Sequence, residues 1–183
     1  GDWYDGPGIE FFNMMKEKLG DLPIVAEDLG HLFDSVKELL KETGYPGMKV
    51  LEFAFDSGEA NDYLPQNYTE NCVVYSGTHD NDTLMGWMAE AKPEDVAFAR
   101  QYCKMPEWEA FNWGIIRTAY ESVANTAIIQ MQDILGLGTE ARMNVPSTLG
   151  GNWVWRIDGS VLTDELANRL KEMVINSSRL EEN

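Results

Sequence analysis

Basic residues are scarce in this chain. Its 183 residues include 14 Lys and Arg against 31 Asp and Glu, a net charge of −17 at pH 7. Binding to nucleic-acid phosphates or anionic lipid needs a cationic surface that releases counterions, so neither partner is expected. No apolar run approaches the roughly 18 residues that a membrane-spanning helix requires. Cysteine is nearly absent: Cys72 and Cys103 are too few for a disulfide framework or a zinc site. Cys72 lies in the apolar run NCVVYSG and Cys103 in a helical stretch, so both read as buried free thiols. Together with the lack of a charged-then-apolar leader, this points to a reducing, cytoplasmic setting. The chain opens GDWYDGPG, without an initiator methionine, and reads as a piece of something longer. Histidine is limited to His31 and His79. No EF-hand, two-metal or Gly-rich phosphate spacing occurs, and no nucleophile-elbow serine, so neither a metal nor a cofactor is expected.

What is present belongs to a packed globular protein: 44% hydrophobic residues and 6 Trp exclude a disordered acidic tail. Apolar strand-like runs alternate with amphipathic helical runs. Ile9 to Leu19 reads as a helix stopped by Gly20, and Asp34 to Thr43 as a second, closed by Gly44. Leu22–Ala26, Met48–Phe55 and Asn71–Ser76 read as strands. Asp82 or Thr83 can cap a short helix, and Pro93 suits the first turn of the next. A long helical region follows from about Glu107 to Leu135, with a break near Ser122. The run TEARMNVPST is expected to form a fourth strand or a strand-to-loop passage, and Leu166–Ile175 a last helix. This alternation predicts an α/β fold, a parallel sheet with helices packed outside it. In such folds ligands gather at the carboxyl ends of the strands, where this chain places its polar, acidic clusters.

Three clusters carry candidate chemistry. In LPIVAEDLG, Glu27 and Asp28 follow an apolar run directly. A carboxylate half-buried there has its pKa raised by desolvation, which suits a general acid. Equally, Asp28 can cap the next turn while Glu27 is merely solvated. In YSGTHDND, His79, Asp80 and Asp82 can be metal ligands, proton-transfer groups or substrate hydrogen-bonders, or a polar loop that caps a helix. In ARMNVPSTLGGNWVWR, Arg142 and Asn144 precede the Gly150-Gly151 pair, and Trp153 and Trp155 follow it. Aromatic faces beside amide and guanidinium donors suit sugar rings, although the tryptophans could as well belong to the core.

Together the runs GPGIEFF, PIVAEDLG, YPGMKVLEFAFD, YLPQNY, VVYSGTHDNDT with Gly86-Trp87, QDILGLGTEARMN and GNWVWR resemble the 4-alpha-glucanotransferases, also called amylomaltases or disproportionating enzymes. They occur in family order from Gly6 to Arg156, which makes the resemblance specific. It implies a (β/α)8 barrel and transfer of α-1,4-glucan segments between maltooligosaccharides, with retention through a covalent glycosyl-enzyme intermediate. By the same resemblance Glu27 is the general acid/base and Asp80 the transition-state stabiliser. His79 binds hydroxyls of the same sugar, Asp56 contacts substrate one subsite away, and Asn144 binds glucan from a loop over the groove.

Two departures stand out. The family's nucleophilic aspartate lies in an Arg-x-Asp-His-type motif before the GPG turn, and no such motif occurs in these 183 residues. Since a whole barrel needs about 250 residues, residues 1–183 read as the C-terminal part of a catalytic barrel whose N-terminal part is absent, inactive alone. Ser147, after Pro146, stands where the family usually has glycine. An alternative reading is a non-catalytic glucan-binding module. A partial barrel exposes strand edges and an unpartnered apolar face, which invite pairing with another copy. Light scattering is therefore expected to show self-association of the isolated chain or partial disorder at its strand ends; a compact, monodisperse monomer would count against it.

Overall fold

The computed structural model describes residues 2, 4–30, 32–56 and 61–180. Its centre is a parallel sheet of β1 (Gly47–Val50), β2 (Cys72–Tyr75) and β3 (Thr126–Ile128), in that spatial order. Gly47 faces Cys72 and Val73 faces Thr126 across the two ladders. β2 lies between the other two strands, and its Cys72, Val73 and Val74 are all buried, as expected of a central parallel strand.

Helices pack outside this sheet: α1 (Ile9–Leu19), α2 (Asp34–Thr43), α3 (Leu84–Glu90), α4 (Pro93–Tyr102), α5 (Phe111–Glu121), α6 (Met131–Leu135) and α7 (Asp164–Asn176). None is long and apolar enough to cross a membrane. Thr83 caps α3 by accepting from the Gly86 amide, and Pro93 opens α4, both as the sequence predicts. α5 is the hub. Phe111, Trp113, Ile115, Ile116 and Ala119 are buried in it, and it packs against α3, α6 and α7. Trp87 of α3 stacks on Phe111 at 5.8 Å, with Phe55 edge-on to Trp87 at 6.0 Å. From the C-terminal side, Arg169 of α7 lies 3.7 Å over the Trp113 ring. Arg179 donates to the carbonyls of Tyr120 and Ser122, closing the free end of α5. Both cysteines are free and buried.

Four sequence expectations are corrected. Residues 22–26 form no strand. The segment reaches β1 through one backbone bond, Ala26 N–H to Pro46 O at 2.9 Å, and two residues on the Asp28 carboxylate takes the Met48 amide in place of a ladder carbonyl. Met48–Phe55 is a strand only to Val50, where the chain tightens into the 3₁₀ turn Leu51–Phe53. The long helix expected from Glu107 is instead α5, then β3, then α6; a short apolar run such as TAII cannot be told from helix by periodicity, and pairing with β2 decides it. The expected fourth strand is the 3₁₀ turn Thr139–Ala141 followed by an irregular loop.

One buried acid fixes the loop between β2 and α3. Asp133, with no solvent exposure, accepts from Ser76 Oγ at 2.5 Å and from the Leu84 amide at 2.7 Å, one at each end of that loop. Burial pushes its pKa up to about 6, with the bonds from Ser76 and Leu84 working against the shift. The folded value exceeds the unfolded one of 3.8, so the folded state holds the extra proton and this group's contribution to stability falls as pH rises from about 4 to about 6. The change amounts to about 3 kcal/mol. The stability difference between wild type and Asp133→Asn, measured by urea unfolding, is expected to shift by that amount in the variant's favour across this interval. A pH-independent difference would refute the assignment.

Candidate functional site

The carboxyl ends of β2 and β3 open into a cavity of about 900 Å³, which β1 flanks near its start. Met48 of β1, Tyr75 at the end of β2 and Ile128 at the end of β3 line it, with Phe53 and Tyr63 giving further aromatic wall. Glu27, His79 and Asp80 line the same cavity. The structure thus brings Glu27 together with His79 and Asp80, the last of them 53 positions further along the chain.

Glu27 is placed by its neighbours. Ala26 donates to Pro46 O, and the Asp28 carboxylate accepts from the Met48 amide at 2.6 Å, so both flanking residues are tied to the start of β1. Gly47 allows this approach: a Cβ there would lie 2.5 Å from Asp28 Oδ2. Among the described residues, the bond that the Asp28 carboxylate accepts is thus one from β1 and not from a following turn. Glu27 itself is exposed, not half-buried, because its segment has β1 as neighbour on one side alone among the described residues.

The loop carrying His79 and Asp80 is built from short internal bonds. Thr78 N–H and Oγ–H both donate to Asn81 Oδ1, at 2.9 and 2.8 Å. Asp82 accepts from the Thr83 amide at 2.7 Å and from the Thr139 hydroxyl at 2.8 Å. Arg142 donates to the Asp80 carbonyl at 2.7 Å and to the Asn144 carbonyl at 2.9 Å. Asn144 in turn donates to Asp80 Oδ1 at 2.6 Å, and His79 Nε2 lies 3.4 Å from the same oxygen. Asn144 thus joins the group through Asp80. Asp56 does not line the cavity; it is exposed at the end of its segment and accepts from Asn61 Nδ2 at 3.3 Å. His31 lies outside the described residues. Among those described, no group of three His, Cys, Asp or Glu side chains is arranged to hold a metal ion.

The tryptophans divide. Trp153 is not core: it is 55% exposed, and its ring lies 5.0 Å from that of His79. Trp155 is half-buried. Ser147 and Trp153 both adopt left-handed backbone, φ 63° and 62°. For Ser147 this is the conformation that glycine takes without steric cost.

Sequence reasoning missed the polar layer under the loop. Asp133 anchors it, and Glu52, 6% exposed, is buried beneath it. The available signal for Glu52 was a lone charged residue in the apolar run MKVLEFAF, since buried acids mark special environments. Asp133 sits in QDILGLG with no local feature that sets it apart from a solvated helix residue.

Comparison with known proteins places this arrangement. The sequence model of the 4-alpha-glucanotransferase family matches residues 1–163. The 4-alpha-glucanotransferase of Clostridium butyricum is 52% identical over 171 residues, covering 93% of this chain and 35% of that protein. The chloroplastic/amyloplastic 4-alpha-glucanotransferase of Arabidopsis thaliana is 46% identical over 183 residues, covering 98% of this chain and 32% of that protein. The amylomaltase of Streptococcus agalactiae, solved in complex with acarbose, superposes with a TM-score of 0.93 at 42% identity, covering 97% of this chain and 36% of that one. The chain thus spans about a third of the length of the relatives it matches. On sequence and structure together, the chain belongs to the 4-alpha-glucanotransferase family.

Proposed function

We propose that this chain supplies the acid/base half of a retaining α-1,4-glucan transfer site, as the C-terminal part of a (β/α)8 barrel. The observation that carries this reading is the convergence of Glu27, His79 and Asp80 on one aromatic-walled cavity at the carboxyl ends of the parallel strands β2 and β3, beside the start of β1. A TM-score of 0.93 to an amylomaltase solved with acarbose supports a saccharide occupant there.

The chemistry follows from the side chains. Glu27, as a carboxylic acid, donates its proton to the glycosidic oxygen while a nucleophilic carboxylate attacks C1; the glycosidic bond breaks and an ester to the enzyme forms. Glu27, now a carboxylate, takes the proton from the 4-hydroxyl of an acceptor glucan, whose oxygen attacks C1 and displaces the nucleophile. The nucleophile belongs about 5 Å across from Glu27. By the family pattern it is an aspartate in an Arg-x-Asp-His-type motif, which these 183 residues do not contain. Asp80 stabilises the charge that develops on the sugar ring and grips its hydroxyls. His79 assists at the same ring, Asn144 reaches over the groove, and Asp56 meets the glucan one subsite away. An exposed Glu27 is in keeping with a site wall contributed by the rest of the barrel. Exposed Phe11, Met14, Leu19 and Val25 are in keeping with an apolar face that the same part covers. Two buried free thiols support a reducing compartment, proposed as the cytoplasm, although the Arabidopsis relative is named chloroplastic/amyloplastic.

The whole protein containing this chain is expected to disproportionate maltooligosaccharides. Glu27→Gln should lower that rate by about 10²–10⁴-fold. The 183-residue chain alone should show no transfer, followed by chromatography of the oligosaccharide products. Transfer by the isolated chain, or full activity in Glu27→Gln, would sink the reading. Glucan affinity without transfer in the whole protein would favour the binding-module alternative.

A further inference from the structure

Beneath the loop that carries His79 and Asp80 lies a carboxyl group that the transfer chemistry does not use. Glu52, on the 3₁₀ turn that follows β1, is 6% exposed, and among the described residues its Oε1 has no hydrogen-bond partner. Gln130 Nε2, just past β3, is buried and unpartnered as well. Both atoms lie 2.8 Å from the point that a Gly77 Cβ would occupy, so both crowd the start of the loop from below. Gln130 and Gly77 line the cavity itself.

The charged groups that face Glu52 are Asp133 from α6, Asp82 from the loop and Arg142 from beyond the turn Thr139–Ala141. Arg142 already donates to the carbonyls of Asp80 and Asn144. An ionised Glu52 would therefore be a buried charge beside two other carboxylates. Burial first, then Asp133 and Asp82, push its pKa up to about 9, so the group is a neutral carboxylic acid at pH 7. Those two neighbours are the anchors of the loop. Asp133 holds Ser76 and Leu84, and Asp82 holds Thr83 and Thr139. Repulsion from an ionised Glu52 acts on the very groups that fix where Asp80 stands.

We propose that Glu52 is a positioning residue for the Asp80 loop: as a neutral acid it packs beneath Gly77 beside Gln130 and holds the loop at the cavity floor, and loss of its proton to solvent displaces the loop. This rests on the reading of that loop as part of the transfer site.

In the whole protein, Glu52→Ala is expected to lower kcat for maltooligosaccharide disproportionation about tenfold or more, with KM changed less than about threefold. Glu52→Gln, uncharged at every pH, rescues kcat. The ¹³C-methyl signal of Thr78 shifts between about pH 8 and about pH 10 in the wild type and not in Glu52→Gln. If Glu52→Ala does not fold, the Gln variant and the Thr78 signal decide the matter. A Glu52→Gln protein no better than Glu52→Ala, or a Thr78 titration that persists in Glu52→Gln, overturns the proposal. A wild type without transfer activity refutes the function proposed above instead, and the Thr78 titration still decides the positioning role.

Discussion

The placement of His79 and Asp80 depends on one fully buried carboxylate. Asp133 receives the Ser76 hydroxyl and the Leu84 amide on its two oxygens, so a single rigid group sets the span between the end of β2 and the start of α3. Its own backbone carbonyl accepts from Asn112 of α5 at 2.7 Å, which ties the anchor to the most buried helix of the molecule. Sheet, hub helix and loop therefore converge on one residue. A buried acid that has two donors is satisfied geometrically but still desolvated, which is why its proton is held more tightly than in water. The fold accepts that cost in return for a loop whose ends cannot drift.

The same device recurs at the other side of the cavity, and it separates two classes of acid. Asp28 accepts from the Met48 amide and Asp82 from the Thr83 amide, as Asp133 does from Leu84. Each such carboxylate substitutes for a backbone acceptor where a strand or helix begins, and its lone pairs are engaged in holding main chain. Glu27 lies between two anchored residues and faces the cavity, and among the described residues the Asp80 carboxylate accepts from a side chain, that of Asn144, with His79 Nε2 3.4 Å away. The acids left over after the backbone has been held are the ones in position to meet a ligand.

Local signals in the sequence specify structure where local physics decides the outcome. α1 and α2 begin and end at the expected residues, because apolar spacing and a following glycine set them. Thr83 and Pro93 act at their helix starts for the same reason. β3 carries a helix-like local pattern, and Thr126–Ile128 becomes a strand only by pairing with β2. Residues 22–26 carry a strand-like pattern, but a side chain two residues later takes the ladder's donor. The candidate site was legible in its outer layer, Glu27, His79, Asp80 and Asn144, because those residues sit in motifs that appear in order. Glu52 and Asp133 were not legible, because what sets them apart is burial, a property of the tertiary structure.

The loop after Asn144 shows how the remaining freedom at the site is distributed. Ser147 and Trp153 sit in left-handed backbone along with Gly150 and Gly151. A non-glycine residue loses about 1–2 kcal/mol there, so the conformation must be held by something else. It is held by bonds within the loop: Val145 N–H to Asn152 Oδ1, the Thr148 hydroxyl to Val145 O, and Trp153 N–H to Met143 O. The closed loop then touches the site at two points, Asn144 on Asp80 and Trp153 beside His79. Asn144 occupies only one oxygen of the Asp80 carboxylate, and a carboxylate offers about four acceptor positions. A further donor can therefore reach Asp80 while Asn144 stays in place. The loop thus holds Asp80 in place without filling its carboxylate.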